Sequence, residues 1–351
     1  MLLNNMSRGQ TAEPRHFKVS ADRPLALLRQ CPVYQPTPLV ELPSLAAGLG
    51  VGALFAKDET QRMRLGSFKA LGGAFAVAQM IADAAGTTDL LGEKARSIAE
   101  TLTFVTASAG NHGLSLAAGA RVFGAHAVIV LCAAVPEGFA NRIRSLGAEV
   151  VRVGGSYDDS VAFAARSAEV SDWLLLADGS WDGYTERPAL VMEGYTVLAE
   201  ECRANFAASG AWPTHVYLQA GVGGLAAAVA GHIRAHWAEQ PIITVVEPEA
   251  APCLMTSIKA DRLTRAEGPV SNMGRLDCKE ASLICYQSLR SDADTFVTVS
   301  DSDAASAADL LAAHDLATTP SGAAGLAAVK AMQPGTDSRC MVIVSEGPEG
   351  N

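Results

Sequence analysis

The sequence predicts an α/β protein of two lobes, each built on a mostly parallel sheet flanked by helices, and three observations carry that prediction. Apolar runs of strand length alternate with longer helical patterns along the chain. The runs are almost continuously apolar, as strands covered on both faces should be. Three turns rich in glycine and serine follow directly after such runs, where loops leaving the C-terminal ends of parallel strands form ligand sites.

Taken in order, the strand candidates are 102–107, 126–131, 149–153, 173–177, 214–219, 242–247, 295–299 and 340–345. Helical patterns fill 68–84, 111–123, 137–146, 158–170, 187–207, 223–237, 302–315 and 322–332. At 351 residues the chain is long enough for two substantial cores. No internal repeat or low-complexity linker stands out. The stretch 259–280, rich in charge, glycine and proline, predicts irregular chain on the surface.

Composition narrows the function classes. A net charge of −10 argues against nucleic acid and anionic membranes as partners. The most apolar run, Ala125 to Val135, is too short to span a bilayer, and the N-terminal stretch lacks the apolar core of a signal peptide. A cytoplasmic protein is therefore expected. The seven cysteines show no CxxC spacing and the histidines no paired-ligand spacing, so neither a disulfide framework nor a metal site is expected.

Three segments carry chemistry. Gly221, Val222, Gly223, Gly224 and Leu225 follow one strand and open one helix, which suits an anion held by free N–H groups. The alternatives are a ligand-free turn and a dinucleotide site, for which Glu247 at the end of the next strand would bind ribose. Lys69 lies in the first turn of an apolar helix among Gly66, Ala70, Gly72 and Gly73. Burial there would lower its pKa and make it a nucleophile or base, whereas a lysine that snorkels to solvent would do neither. The third segment is Ser108, Ala109, Gly110 and Asn111, whose donors at a helix start suit a carboxylate. His112 beside it reads as a satisfied structural histidine.

Together these segments resemble the fold-type II family of enzymes that use pyridoxal 5′-phosphate (PLP), the group of threonine dehydratase and the tryptophan synthase β chain. GSFKALGGA, SAGNHG and GVGGL occur in that family's order, and the likeness covers nearly the whole chain. Within the group the stretches 34–60, 178–201, 213–232 and 245–254 are most similar to the diaminopropionate ammonia-lyases. The resemblance implies a PLP-dependent carbon–nitrogen lyase that performs α,β-elimination on a small amino acid. The implied substrate is 2,3-diaminopropionate, giving pyruvate and ammonia. It further implies a large cofactor-binding domain of 1–76 plus 180–351, a smaller mobile domain of 77–179, and a homodimer.

Carried over by position, Lys69 would hold the cofactor covalently and act as the α-proton base. Asn111 would bond the cofactor's 3′-oxygen, Gly221 to Leu225 its phosphate, and Ser345 its pyridine nitrogen as a neutral hydroxyl. That hydroxyl would leave the nitrogen largely unprotonated and favour elimination over racemisation. Ser108 to Asn111 would hold the substrate carboxylate, and Asp178, Asp58 or Glu193 would meet a second amine. Cys253 and Cys285 occupy places similar to a cysteine pair in the ammonia-lyases, although two free thiols are expected in a reducing compartment.

Two departures mark the chain. Ala109 stands where the ammonia-lyases resemble one another in an aspartate linked to the D-isomer, so L-substrates are expected unless Asp178 or Asp58 substitutes. TPSGAAG at 319–325 is more similar to the hydroxyamino-acid dehydratases, and the ending SEGPEGN matches the ammonia-lyases only in part. A 3-hydroxy amino acid dehydratase and a β-replacement synthase are therefore the alternatives, ahead of a non-catalytic binding protein or a nicotinamide enzyme.

Overall fold

A computed structural model describes residues 1–5 and 15–348. The chain opens with β1 (Leu2–Asn4), α1 (Asp22–Leu28), β2 (Leu39–Glu41), α2 (Pro43–Leu49), β3 (Ala53–Asp58) and a 3-10 turn at Arg62–Arg64. It continues through α3 (Lys69–Ala85), α4 (Glu93–Ala99), β4 (Thr103–Ala107), α5 (Asn111–Phe123), β5 (His126–Cys132), α6 (Glu137–Ser145), β6 (Glu149–Val153), α7 (Tyr157–Ser171) and β7 (Leu174–Leu175). Then come α8 (Glu186–Ser209), β8 (His215–Gln219), α9 (Gly224–His236), β9 (Ile242–Pro248), α10 (Cys253–Ala260) and α11 (Leu283–Asp292). The last elements are β10 (Thr295–Val299), α12 (Asp301–Ala312), α13 (Pro320–Met332) and β11 (Arg339–Val344).

Two sheets organise these elements. The larger runs β1-β10-β9-β8-β11-β3-β2, with only the edge pairs β1–β10 and β2–β3 antiparallel. The smaller runs β6-β5-β4-β7 and is parallel throughout. Register places Val342 of β11 against Tyr217 of β8, and Val344 against Asp58 of β3. The loops after β8 and β11 therefore emerge side by side, while the loop after β4 emerges from the smaller sheet.

Helix α3 is buried on almost every side because it packs against α1, α4, α5 and α8. Small residues permit that approach. A side chain on Gly72 would begin 2.4 Å from Tyr195 Cε1 on α8, and one on Gly73 would begin 2.1 Å from Ser115 Oγ on α5. Such spacing leaves no room for even a methyl group. The dense contact fixes the first turn of α3, and with it Lys69, against the core.

The predicted strands and helices are present with ends shifted by a few residues, and the run at 173–177 shortens to β7. The sequence pattern missed β1, β2, β3, α1, α2, α4, α10 and α11. Strand β3 is instructive, since Lys57 near its C-terminal end is fully buried. Its ammonium is matched by Glu201 of α8 at 2.5 Å, which also accepts from Arg62 at 2.7 Å. Arg62 in turn holds Glu59 through two bonds of 2.7 Å. A charged residue in this interior strand is tolerated because a partner far along the chain neutralises it.

One expectation about position is corrected. Of the stretch 259–280, the first two residues end α10 and the rest lack helix or strand as predicted, but they do not simply cover the surface. Ala266, Ser271, Met273 and Leu276 are buried, and the segment folds over the glycine turn after β8. No helix among the described residues is long and apolar enough to cross a membrane.

Candidate active site

A cavity of about 600 Å³ lies where the loops after β4, β7, β8 and β11 meet the start of α3. Its walls include Lys69, Ser108, Ala109, Gly110, Asn111, Asp178, Gly221 to Leu225 and Ser345. The structure thus brings together Lys69, Ser108 to Asn111, Asp178, Gly221 to Leu225 and Ser345, from five separate segments.

The glycine turn explains its own composition. Gly223 has φ +105°, a backbone conformation that residues with a side chain rarely adopt, and a Cβ there would lie 2.9 Å from Cys285 Cβ. A side chain on Gly221 would begin 3.0 Å from Cys278 Sγ and 3.1 Å from the Arg275 carbonyl. Helix α9 starts at Gly224, so the N–H groups of its first turn have no partner within the helix and line a backbone cradle. An anion fits there, favoured also by the helix dipole.

Lys69 opens α3 and faces the same cavity. Its ammonium forms an ion pair with Asp178, each side chain being a quarter exposed. The expectation that burial lowers the lysine pKa is overturned. Burial does act in that direction, but the Asp178 carboxylate outweighs it and the net shift is upward. Asp178 shows the counterpart: burial would raise its carboxyl, and the Lys69 charge instead holds it well below the usual carboxylate range.

Asn111 starts α5 and donates its side-chain amide to Glu346 at 2.5 Å. Glu346 also accepts from Thr319 Oγ1 at 2.6 Å and lies 3.6 Å from Arg275 Nε. Thr319 caps α13 by accepting from the Gly322 N–H at 3.1 Å, so the segment 319–325 backs the site from behind. The Ser345 carbonyl accepts from the Phe68 N–H at 3.1 Å, which ties the end of β11 to the start of α3. Gly110 N–H donates to Ser108 Oγ at 3.3 Å, shaping the loop before α5.

His112 satisfies the structural reading by half. Nε2 meets the Leu176 carbonyl at 2.8 Å, whereas the buried Nδ1 has no hydrogen-bond partner among the described residues. Burial pushes its pKa down, so the ring is neutral with the proton on Nε2.

Three candidates fall outside the cavity for clear reasons, and the cysteine pair stays unjoined as expected. Glu193 is buried and paired with Arg23, whose Nε donates to it at 2.8 Å, so it does not line the cavity. Asp58 accepts from the Thr60 N–H at 2.9 Å and also lies off the cavity wall. Glu247 is buried beneath α10 and accepts from the Leu254 and Met255 N–H groups at 2.7 and 2.8 Å, which removes it as a ribose ligand. Cys253 donates to the Gly221 carbonyl at 3.5 Å, whereas Cys285 turns to Met192 Sδ at 3.7 Å, and all seven cysteines are free thiols. Residues 349–351 of the predicted terminal motif lie outside the described residues.

The sequence pattern missed Glu346, Arg275, Cys278 and Tyr195, which also line the cavity. Glu346 had a signal, since it adjoins Ser345 in the same loop. Arg275 and Cys278 had none, lying in a stretch without periodicity.

Comparison with known proteins agrees with this geometry. Residues 31–346 match the family described as pyridoxal-phosphate dependent enzyme. The chain is 35% identical over 277 residues to diaminopropionate ammonia-lyase of Escherichia coli (strain K12), covering 78% of this chain and 70% of that one. It is 30% identical over 246 residues to a probable D-serine dehydratase of Acidovorax ebreus, covering 64% and 53%. A crystal structure of the Escherichia coli diaminopropionate ammonia-lyase in complex with an aminoacrylate-PLP azomethine reaction intermediate superposes with a TM-score of 0.87. That match has 30% identity and covers 99% of this chain and 93% of that one.

Proposed function

The chain belongs to the pyridoxal-phosphate dependent enzymes, and from that premise we propose that it is an ammonia-lyase acting on 2,3-diaminopropionate by α,β-elimination. The residues present fit the cofactor: a backbone cradle at the start of α9, tight against side chains at Gly221 and Gly223, with Lys69 in the same cavity. When bound, PLP supplies an aldehyde for covalent attachment and an electron-withdrawing ring that acidifies the α-carbon of an attached amino acid.

The chain's own groups do the rest. Gly221 to Leu225 would hold the phosphate, Asn111 the ring oxygen and Ser345 the ring nitrogen. Lys69 would be the covalent attachment and, once displaced by substrate, the base that takes the α-proton on Nζ. Ser108 to Asn111 would orient the substrate carboxylate. Glu346 holds Asn111 in place through the bond between their side chains.

The observation that carries the choice of substrate is the Lys69–Asp178 pair. Covalent engagement of Lys69 removes its ammonium and leaves the Asp178 anion without its partner. A protonated β-amine restores a pair there, whereas a β-hydroxyl does not. As the α-proton passes to Lys69, the carbon–nitrogen bond breaks with its electron pair on nitrogen and ammonia departs. The released 2-aminoacrylate hydrolyses to pyruvate and a second ammonia. Ala109 offers a methyl group where a proton acceptor would serve the D-isomer; Asp58 lies off the cavity and Asp178 is committed to a cation, which favours L-substrates.

A dehydratase of 3-hydroxy amino acids is the second reading, supported by the likeness to a probable D-serine dehydratase and by the 319–325 segment. A β-replacement synthase would instead consume a second nucleophile in step with product. We also take residues 1–76 plus 180–351 and 77–179 as two domains, which keeps each sheet whole, and a cytoplasmic homodimer as the working form.

The deciding experiment assays pyruvate and ammonia over D- and L-2,3-diaminopropionate, serine, threonine and 3-hydroxyaspartate. Two ammonia per pyruvate from the L-diamine is the expected result; turnover of hydroxy amino acids alone would replace the reading. Borohydride reduction of the holoprotein should tag Lys69, and Lys69→Ala should lose both the tag and turnover.

A further inference from the structure

We propose that Arg275 binds the α-carboxylate of the substrate and so restricts the site to amino acids with a free carboxylate, an inference that rests on the reading above. A side chain on Gly110 would begin 3.6 Å from Arg275 Nη1, so the guanidinium hangs over the loop that opens α5. Its Nε lies 3.6 Å from Glu346 Oε2, and that same oxygen accepts from Asn111 at 2.5 Å.

This arrangement sets an electrostatic requirement. A substrate carboxylate held by Ser108 to Asn111 would lie close to the Glu346 carboxylate, in a cavity where like charges are poorly screened. A cation has to stand between them. Four cationic side chains line the cavity among the described residues. Arg275 reaches both, with its Nε toward Glu346 and its Nη1 beside Gly110. Its planar fork also suits a carboxylate geometrically. The backbone holds it there, since Arg275 N–H donates to Ser321 Oγ at 3.1 Å.

The test titrates the holoprotein with L-alanine and with L-alaninamide, following the cofactor's absorption; neither ligand has a leaving group. Wild-type protein should prefer alanine, and Arg275→Gln should weaken alanine binding by roughly 10- to 100-fold while leaving alaninamide nearly unchanged. Arg275→Lys, which keeps the charge but loses the fork, should fall between. An alanine-to-alaninamide ratio that survives Arg275→Gln would overturn the inference. So would a loss of PLP affinity as large as the loss of alanine affinity, because Arg275 would then serve the cofactor cradle. A chain that takes up no PLP at all would remove the functional reading and this inference together.

Discussion

The Lys69 ammonium and the Asp178 carboxylate form an ion pair that joins the first turn of α3 to the loop after β7. The pair decides the proton affinity of the lysine, because burial alone would lower it and the neighbouring anion raises it.

Replacing Asp178 by Asn should therefore move the Lys69 pKa downward, since the group that stabilises its ammonium is gone and burial remains. The rate of PLP attachment as a function of pH would report the shift directly. Turnover of the diamine should fall by roughly 10²- to 10⁴-fold, the range of a positioned charged group in proton-transfer chemistry. An unchanged attachment profile would mean that Asp178 does not set the state of Lys69.

Gly223→Ala tests the cradle. The substitution meets both an unfavourable φ of +105° and a contact of 2.9 Å with Cys285 Cβ. A cost of about 1–3 kcal/mol is expected from the backbone conformation alone. Inorganic phosphate and PLP should both bind more weakly, and fluorescence titration of each would measure it.

Glu247 predicts a pH dependence of stability. Burial pushes its carboxyl up from an ordinary 4.5 to about 8, against the opposing pull of the Met255 and Leu254 N–H groups. The folded chain therefore holds this proton more tightly than the unfolded chain. Its stabilising contribution is complete below the ordinary value and is lost as pH rises through about 8. Stability should fall across that window with a slope of at most about 1.4 kcal/mol per pH unit. Glu247→Gln should flatten the slope in urea denaturation run between about pH 5 and about pH 8.

Glu201 is the keystone of the buried ion cluster, accepting from Lys57, Arg62 and Tyr34. Burial would raise its carboxyl, and Arg62 and Lys57 hold it below the ordinary range instead. Glu201→Ala leaves the buried Lys57 ammonium without a carboxylate, while Arg62 keeps Glu59, and should cost about 3–5 kcal/mol, read as a lowered denaturation midpoint. A much smaller loss would mean that water reaches the cluster.

How much of this was legible in the sequence follows from the range of the interactions involved. The alternation of buried strands and helices, the lysine at the start of α3 and the three turns at strand ends are local patterns, written in residues close together in the chain. Glycine at 223 belongs with them, since a positive φ is a local demand.

Other features were set only when distant segments met. Asp178 and Lys69 are 109 residues apart, and Asn111 and Glu346 are 235 apart. The sign of the Lys69 pKa shift depends on the first of these distances, so the sequence alone gave the burial effect without its counterweight. Strand β3 was hidden by a lysine whose partner lies on α8. The stretch 261–282 carries no periodicity, and its course is fixed by contacts such as those of Lys279 with the Ala250 and Pro269 carbonyls. Local patterning chose the elements and the chemistry-bearing turns; charge pairing across the folded chain decided what state those groups are in.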